Sequence, residues 1–178
     1  MKKTLKILLV ILIYSTNSSG QISFVSIQNG VFQINGPEQS FGTLNTGSVG
    51  FDFNKAQGEL GLNLITSRYS QTTYDVVEVF INGDYKLVDV RNFYLSGGVL
   101  LGYKVSSFQS FQGNTILSGI NKLDVRPSIT LGYSNRLLSP YFRVYRGLLN
   151  LENNDSESFL SQQFVLGFKW NLAVKEDE

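Results

Sequence analysis

The stretch FYLSGGVLLGYKV, residues 93–105, alternates apolar and polar positions almost without a break. Phe93, Leu95, Val99, Leu101, Tyr103 and Val105 fall on one face of an extended chain. Tyr94, Ser96, Gly98, Gly102 and Lys104, with Ser106 beyond, fall on the other. Side chains of a strand point to opposite sides with period two, so this pattern specifies a strand with two chemically different faces.

The same period recurs along the chain. Phe164, Leu166, Phe168, Trp170 and Leu172 oppose Gln163, Gly167, Lys169 and Asn171. Leu60, Leu62 and Leu64 oppose Glu59, Gly61 and Asn63, and Leu123, Val125, Ile129, Leu131 and Tyr133 oppose Asp124, Arg126, Ser128, Thr130 and Gly132. Residues 44–54 alternate more weakly, with Val49, Phe51 and Phe53 on the apolar side.

Asn82-Gly83 resembles a two-residue hairpin turn. Closing one there would oppose Val79 to Lys86 and Ile81 to Asp84, so one long strand with a bend or bulge at Gly83 fits better. At Asn29-Gly30 the hairpin and the straight strand both remain open.

The pattern predicts eight strands at about 24–35, 43–54, 58–69, 74–88, 92–106, 123–135, 140–150 and 161–174. Connections at 55–57, 89–91 and 136–139 are short; those near 36–42, 107–122 and 151–160 are longer and polar, and only 70–73 departs from the trend. Short turns on one rim and long loops on the other describe an eight-stranded antiparallel up-and-down transmembrane β-barrel with a side-chain-filled lumen.

Composition agrees. Of 178 residues, 16% are charged against about 25% in an average soluble domain, and 13% are aromatic. Residues 1–20 read as a signal peptide: Lys2, Lys3 and Lys6, an apolar run from Ile7 to Tyr14, then Ser18-Ser19-Gly20 before Gln21. That run is too short for a membrane helix, which needs about 20 residues. The barrel then occupies 21–174, and 175–178 form a charged tail. Loss of the three lysines leaves 12 basic against 14 acidic residues, which does not suggest a nucleic-acid partner. Cys and His are both absent, which removes disulfides and the commonest metal ligands and general base.

Orientation follows from magnitudes. A Lys or Arg near a bilayer midplane costs up to roughly 2–4 kcal/mol, so Glu59, Glu78, Lys104, Asp124, Arg126, Arg143 and Lys169 are expected to line the lumen as a structural ion network. Leu62, Val99, Leu101, Leu131, Phe164, Leu166, Phe168 and Trp170 are expected to face lipid. Arg68, Asp75 and Asp89 lie only at strand ends, and Tyr69, Tyr74, Phe93, Tyr133, Tyr141, Phe142 and Phe164 are placed for interfacial girdles. Pro127, which donates no ladder hydrogen bond, should sit at the outer rim. Arg143 and Arg146 are three apart, so they face opposite sides unless a bulge intervenes.

Phe108, Phe111, Ile116 and Leu117, with Ile120, mark a loop that meets a partner or folds over the barrel mouth. Asn153, Asn154, Asp155 and Glu157 read as a hydrophilic loop rather than a calcium site. No cofactor, metal or catalytic residue is expected.

The run Phe164–Leu172 resembles the final-strand signal read by barrel-insertion machinery, although Ala173–Glu178 follow it and end in charge. Across 57–172, Gln57-Gly58-Glu59-Leu60-Gly61-Leu62, Gly83-Asp84-Tyr85-Lys86-Leu87, Leu95-Ser96-Gly97-Gly98 with Leu101-Gly102-Tyr103, and Leu166-Gly167-Phe168-Lys169 resemble the TraO conjugal transfer proteins of conjugative transposons. The loops here are shorter than that family's. The resemblance implies a small exported outer-membrane barrel in a transfer apparatus.

The expected function is therefore a non-enzymatic outer-membrane scaffold, with membrane lipid, the insertion machinery and other envelope or conjugation proteins as partners. Two alternatives stand beside it: a secreted or periplasmic lipocalin-like carrier of an apolar ligand, and a barrel hydrolase using Glu59 and Glu78.

Overall fold

A computed structural model describes residues 22–35, 40–53, 55–69, 72–111, 114–117, 121–149 and 160–172. The signal-peptide stretch, the charged tail, Ile120 and the acidic loop residues lie outside the described residues. The strands are β1 (Phe24–Asn35), β2 (Ser40–Phe53), β3 (Ala56–Tyr69), β4 (Thr72–Val90), β5 (Phe93–Phe111), β6 (Asn114–Leu117), β7 (Leu123–Tyr133), β8 (Leu138–Arg146) and β9 (Leu160–Asn171).

All pairings are antiparallel. Each barrel strand pairs with the next, β5 passes directly to β7, and β1 closes on β9 from Phe24↔Asn171 to Asn35↔Leu160. The fold is the expected closed eight-stranded up-and-down barrel, with no helix among the described residues. The ninth strand, β6, pairs only with β5. The stretch 107–122, expected as a loop, is therefore largely a continuation of β5 and a short hairpin.

β4 runs straight through Asn82-Gly83, but its irregularities lie elsewhere. Gly83 sits in regular register with Gly58 and Val99, while the register slips at Val77/Glu78 and at Lys86/Val88. The unpaired residues are Val105 on β5 and Leu87 on β4. A bulge requires only one extra residue on one side, so glycine was not needed. β1 likewise runs straight through Asn29-Gly30. A Cβ at Gly30 would strike the carbonyl of Phe164, so the glycine there serves a close strand approach.

Two residues, Arg91 and Asn92, connect β4 to β5, with φ of 49° and 74°. Consecutive positive φ is the type I′ geometry that matches strand twist and favours Asn-Gly. Replacing Asn92 by Gly should raise stability by about 1 kcal/mol by relieving the left-handed penalty, seen as a higher urea midpoint.

The β7–β8 ladder has five rows, Ser128↔Tyr145 to Gly132↔Tyr141, against eleven in β5–β7. Pro127 stands where the ladder ends. The carbonyl of Val125 accepts from Leu148 N–H at 2.9 Å, so alternate residues of β7 turn their backbone toward β8 and Pro127 has no N–H to offer there. Pro127 nonetheless pairs with Val99 on its other side. It is therefore at a ladder end inside the wall, rather than at the rim of the whole sheet.

Candidate functional site: an ionic lumen inside an apolar wall

Burial is inverted relative to a water-soluble protein. Among the described residues, thirty large hydrophobic side chains are exposed and eleven are buried, while Glu59, Glu78, Asp84, Lys104, Asp124, Arg126, Arg143 and Lys169 are all buried. Closing an eight-stranded sheet with this alternation puts every second side chain into a lumen just wide enough to be filled.

Two arginines organise the charges. Arg143, on β8 and fully buried, donates to Glu59 Oε2 (2.9 Å), Thr130 Oγ1 (2.7 Å), Tyr145 Oη (2.8 Å) and Asp84 Oδ2. Arg126, on β7, forks onto Glu78, with Nη1 to Oε1 at 2.9 Å, and onto Asp124 Oδ2 at 2.8 and 3.0 Å. Glu78 also accepts from Asn63 Nδ2 at 2.7 Å. Planar guanidinium matches carboxylate in this bidentate way, and buried ions persist only when so satisfied. The Arg143 group lies toward the short-turn rim and the Arg126 group toward the loop rim.

Lys169 is held differently. Its Nζ donates to Gln57 Oε1 at 2.6 Å and lies 3.6 Å from Glu59, with the rings of Phe24, Tyr141 and Tyr94 at 5.0, 5.1 and 5.6 Å. Three ring faces stabilise one desolvated ammonium. Each ring rests on a glycine directly opposite it in the ladder: Phe24 on Gly50, Tyr94 on Gly132, Tyr141 on Gly167. A Cβ at any of these glycines would overlap the ring. Gly132→Ala should therefore destabilise by about 1–3 kcal/mol through overpacking, whereas Gly97→Ala, near only Leu87 at 3.6 Å, should change little. Paired urea titrations would measure both. Lys104 donates to the Asn121 carbonyl at 2.8 Å.

All seven ionic residues singled out from the sequence thus lie inside the barrel. Asp84 completes them: with it the buried set holds four carboxylates and four cations. Its place on the polar face of the long fourth strand was the available signal. The lumen is not polar throughout. Phe32, Leu44, Ile65, Val76, Phe80, Leu100, Tyr145 and Val165 form an apolar cluster within it. Tyr141, expected in a girdle, is a lumen residue, because its register with Gly167 turns it inward. Arg146 is exposed at the end of β8, so the strand between it and Arg143 is regular.

The eight residues expected to meet lipid, Leu62, Val99, Leu101, Leu131, Phe164, Leu166, Phe168 and Trp170, are exposed on the outer wall. Phe93 and Tyr133 pack edge to face at 5.0 Å near the turn rim. Phe108 is exposed on β5. Phe111 ends β5, and Ile116 and Leu117 lie on β6; their side chains fall outside the described residues.

No known family model matches the chain, so the TraO resemblance gains no support there. No curated protein matches it either. Among solved structures it is similar to Neisserial surface protein A, with 9% identity, a TM-score of 0.69, and coverage of 87% of this chain and 100% of that one. The translocator domain of the autotransporter NalP from Neisseria meningitidis aligns over 96% of both chains at 9% identity, with a TM-score of 0.36. The first of these likenesses shows a shared eight-stranded barrel fold.

Proposed function

We propose that the chain is an integral outer-membrane barrel that serves as a structural and interaction protein, presenting its loop-side rim to a partner. One observation carries the reading: the wall exposes rows of Leu, Val, Ile and aromatic residues while the ion network is enclosed. Such a surface is stable against acyl chains and unstable against water. The fold of Neisserial surface protein A, described as a surface protein, supports the same setting.

A lipocalin-like carrier needs the reverse orientation, with apolar rows around a central cavity. For the hydrolase, Glu59 and Glu78 are held by different arginines, Arg143 and Arg126, rather than paired with each other. The insertion machinery would read β9, whose outward Phe164, Phe168 and Trp170 are displayed together. Membership in a conjugation apparatus rests on the TraO resemblance alone.

The test is fractionation with heat-modifiable gel migration. The expected result is a protein that stays with outer membranes after alkaline carbonate and runs faster unboiled. Release into buffer without detergent would overturn the proposal.

A further inference from the structure

Two adjacent carboxamides interrupt the apolar outer wall. Around one ladder row, Leu95 opposes Leu131, then Phe142, Leu166, Asn29, Asn45, Leu64 and Val77 follow, each opposite the last. All eight lie on the outward side of the alternation. Six are hydrocarbon, and the adjacent Asn29 and Asn45 are carboxamides.

Their depth makes them unusual. Asn29 stands five residues from one end of β1 and six from the other. At about 3.3 Å per residue and a tilt near 40°, that is roughly 13–15 Å of height each way. One outward position nearer the loop rim stands the polar row Thr43, Thr66 and Asp75, so the pair lies inside an apolar band about 25 Å tall, toward its loop side. Both side chains are exposed, and neither has a hydrogen-bond partner among the described residues. On the other six barrel strands, the outward positions between the rims are Leu, Val, Ile, aromatic, Gly or Pro, apart from Thr66 and Asp75, which hydrogen-bond to each other at 2.8 Å.

Beside the pair lies a notch. Gly47, opposite Ile27 and Leu62, has open space where a Cβ would stand. The weak alternation of β2 is this same patch seen in sequence: Thr43, Asn45 and Gly47 occupy its outward face.

We propose that the β1–β2 wall is a homodimer interface within the membrane. There Asn29 and Asn45 exchange amide hydrogen bonds with the same residues of a second copy across a two-fold axis. Acyl chains offer an amide neither donor nor acceptor, so a partner must come from protein at the same depth. A carboxamide carries both donor and acceptor, so two identical patches satisfy each other with no further chemistry. The glycine notch permits close approach of the walls, as small residues do in membrane interfaces. The inference rests on the membrane reading above.

The chain has no cysteine, so single substitutions report cleanly. The full chain carrying Asn45→Cys, or Leu101→Cys on the opposite wall, is folded into phosphatidylcholine vesicles at low protein-to-lipid ratio and oxidised. Asn45→Cys should give disulfide-linked dimers at least about tenfold faster than Leu101→Cys, reflecting the effective concentration across a fixed interface. The Asn29→Leu/Asn45→Leu variant should remain heat-modifiable yet associate at least about tenfold more weakly than wild type.

Equal cross-linking at both positions, a monomeric wild type, or undiminished association of the double variant would each overturn the interface. Failure of the wild type to enter vesicles at all would sink the membrane reading with it; entry without association sinks only the dimer.

Discussion

Replacing Arg143 by Met should leave the barrel about 3–5 kcal/mol less stable, the cost of removing one partner from a buried ion set. For a domain of typical 5–15 kcal/mol stability, that approaches loss of assembly. Glu59 and Asp84 would lose their guanidinium, and the hydroxyls of Thr130 and Tyr145 would lose contacts made at 2.7 and 2.8 Å. Lys169 would remain on Glu59, but at 3.6 Å and without a fork. Arg143→Lys should recover part of the loss, since it restores charge without the planar geometry. Arg146→Met, three residues on and exposed, should be near neutral. Urea titration of the gel shift in micelles compares all three. An Arg143→Met protein as stable as wild type would show that the lumen charges are dispensable.

The second large effect is expected on the other face. Leu101→Lys should cost roughly 2–4 kcal/mol near the midplane and block insertion into vesicles. Leu101 is flanked in its row by Ile81 and Val125, both outward, so the ammonium has no acid within its own surroundings. Leu137→Lys, in the connection at the turn rim, should insert normally, because the penalty falls toward zero at the interface. The single tryptophan, Trp170, is exposed on the outer wall, so its emission should shift to the blue on insertion and stay red for Leu101→Lys. Normal insertion of Leu101→Lys would mean that this wall does not meet acyl chains.

Much of the fold was legible because alternation is a statement about geometry. The Phe93–Val105 and Phe164–Leu172 runs could not bury both faces in the same medium, and the ionic face had to be enclosed. What alternation does not carry is what happens when both faces tolerate the same residue. Phe32, Leu44, Ile65 and Val165 suit a lumen as well as a bilayer, so the apolar cluster inside left no mark. Tyr141 is ambiguous in sequence for the same reason: a tyrosine near a strand end fits a girdle or a ring-on-glycine stack equally, and its register with Gly167 decides for the lumen. The bulges opposite Val77/Glu78 and at Lys86/Val88 carry ordinary residues, whereas Gly83, whose residue type suggests a bulge, is in regular register. Asp84 and Arg143 lie 59 positions apart, and only closure brings their atoms together.

The proline in β7 has a mechanical consequence. With only five rows joining β7 to β8, that seam carries about half the backbone bonds of the β5–β7 seam beside it. A closed hoop under load parts at its thinnest join, so the amides that cross it, those of Ile129 and Leu131 on β7 and of Phe142 and Val144 on β8, should be the first in the wall to exchange with deuterium.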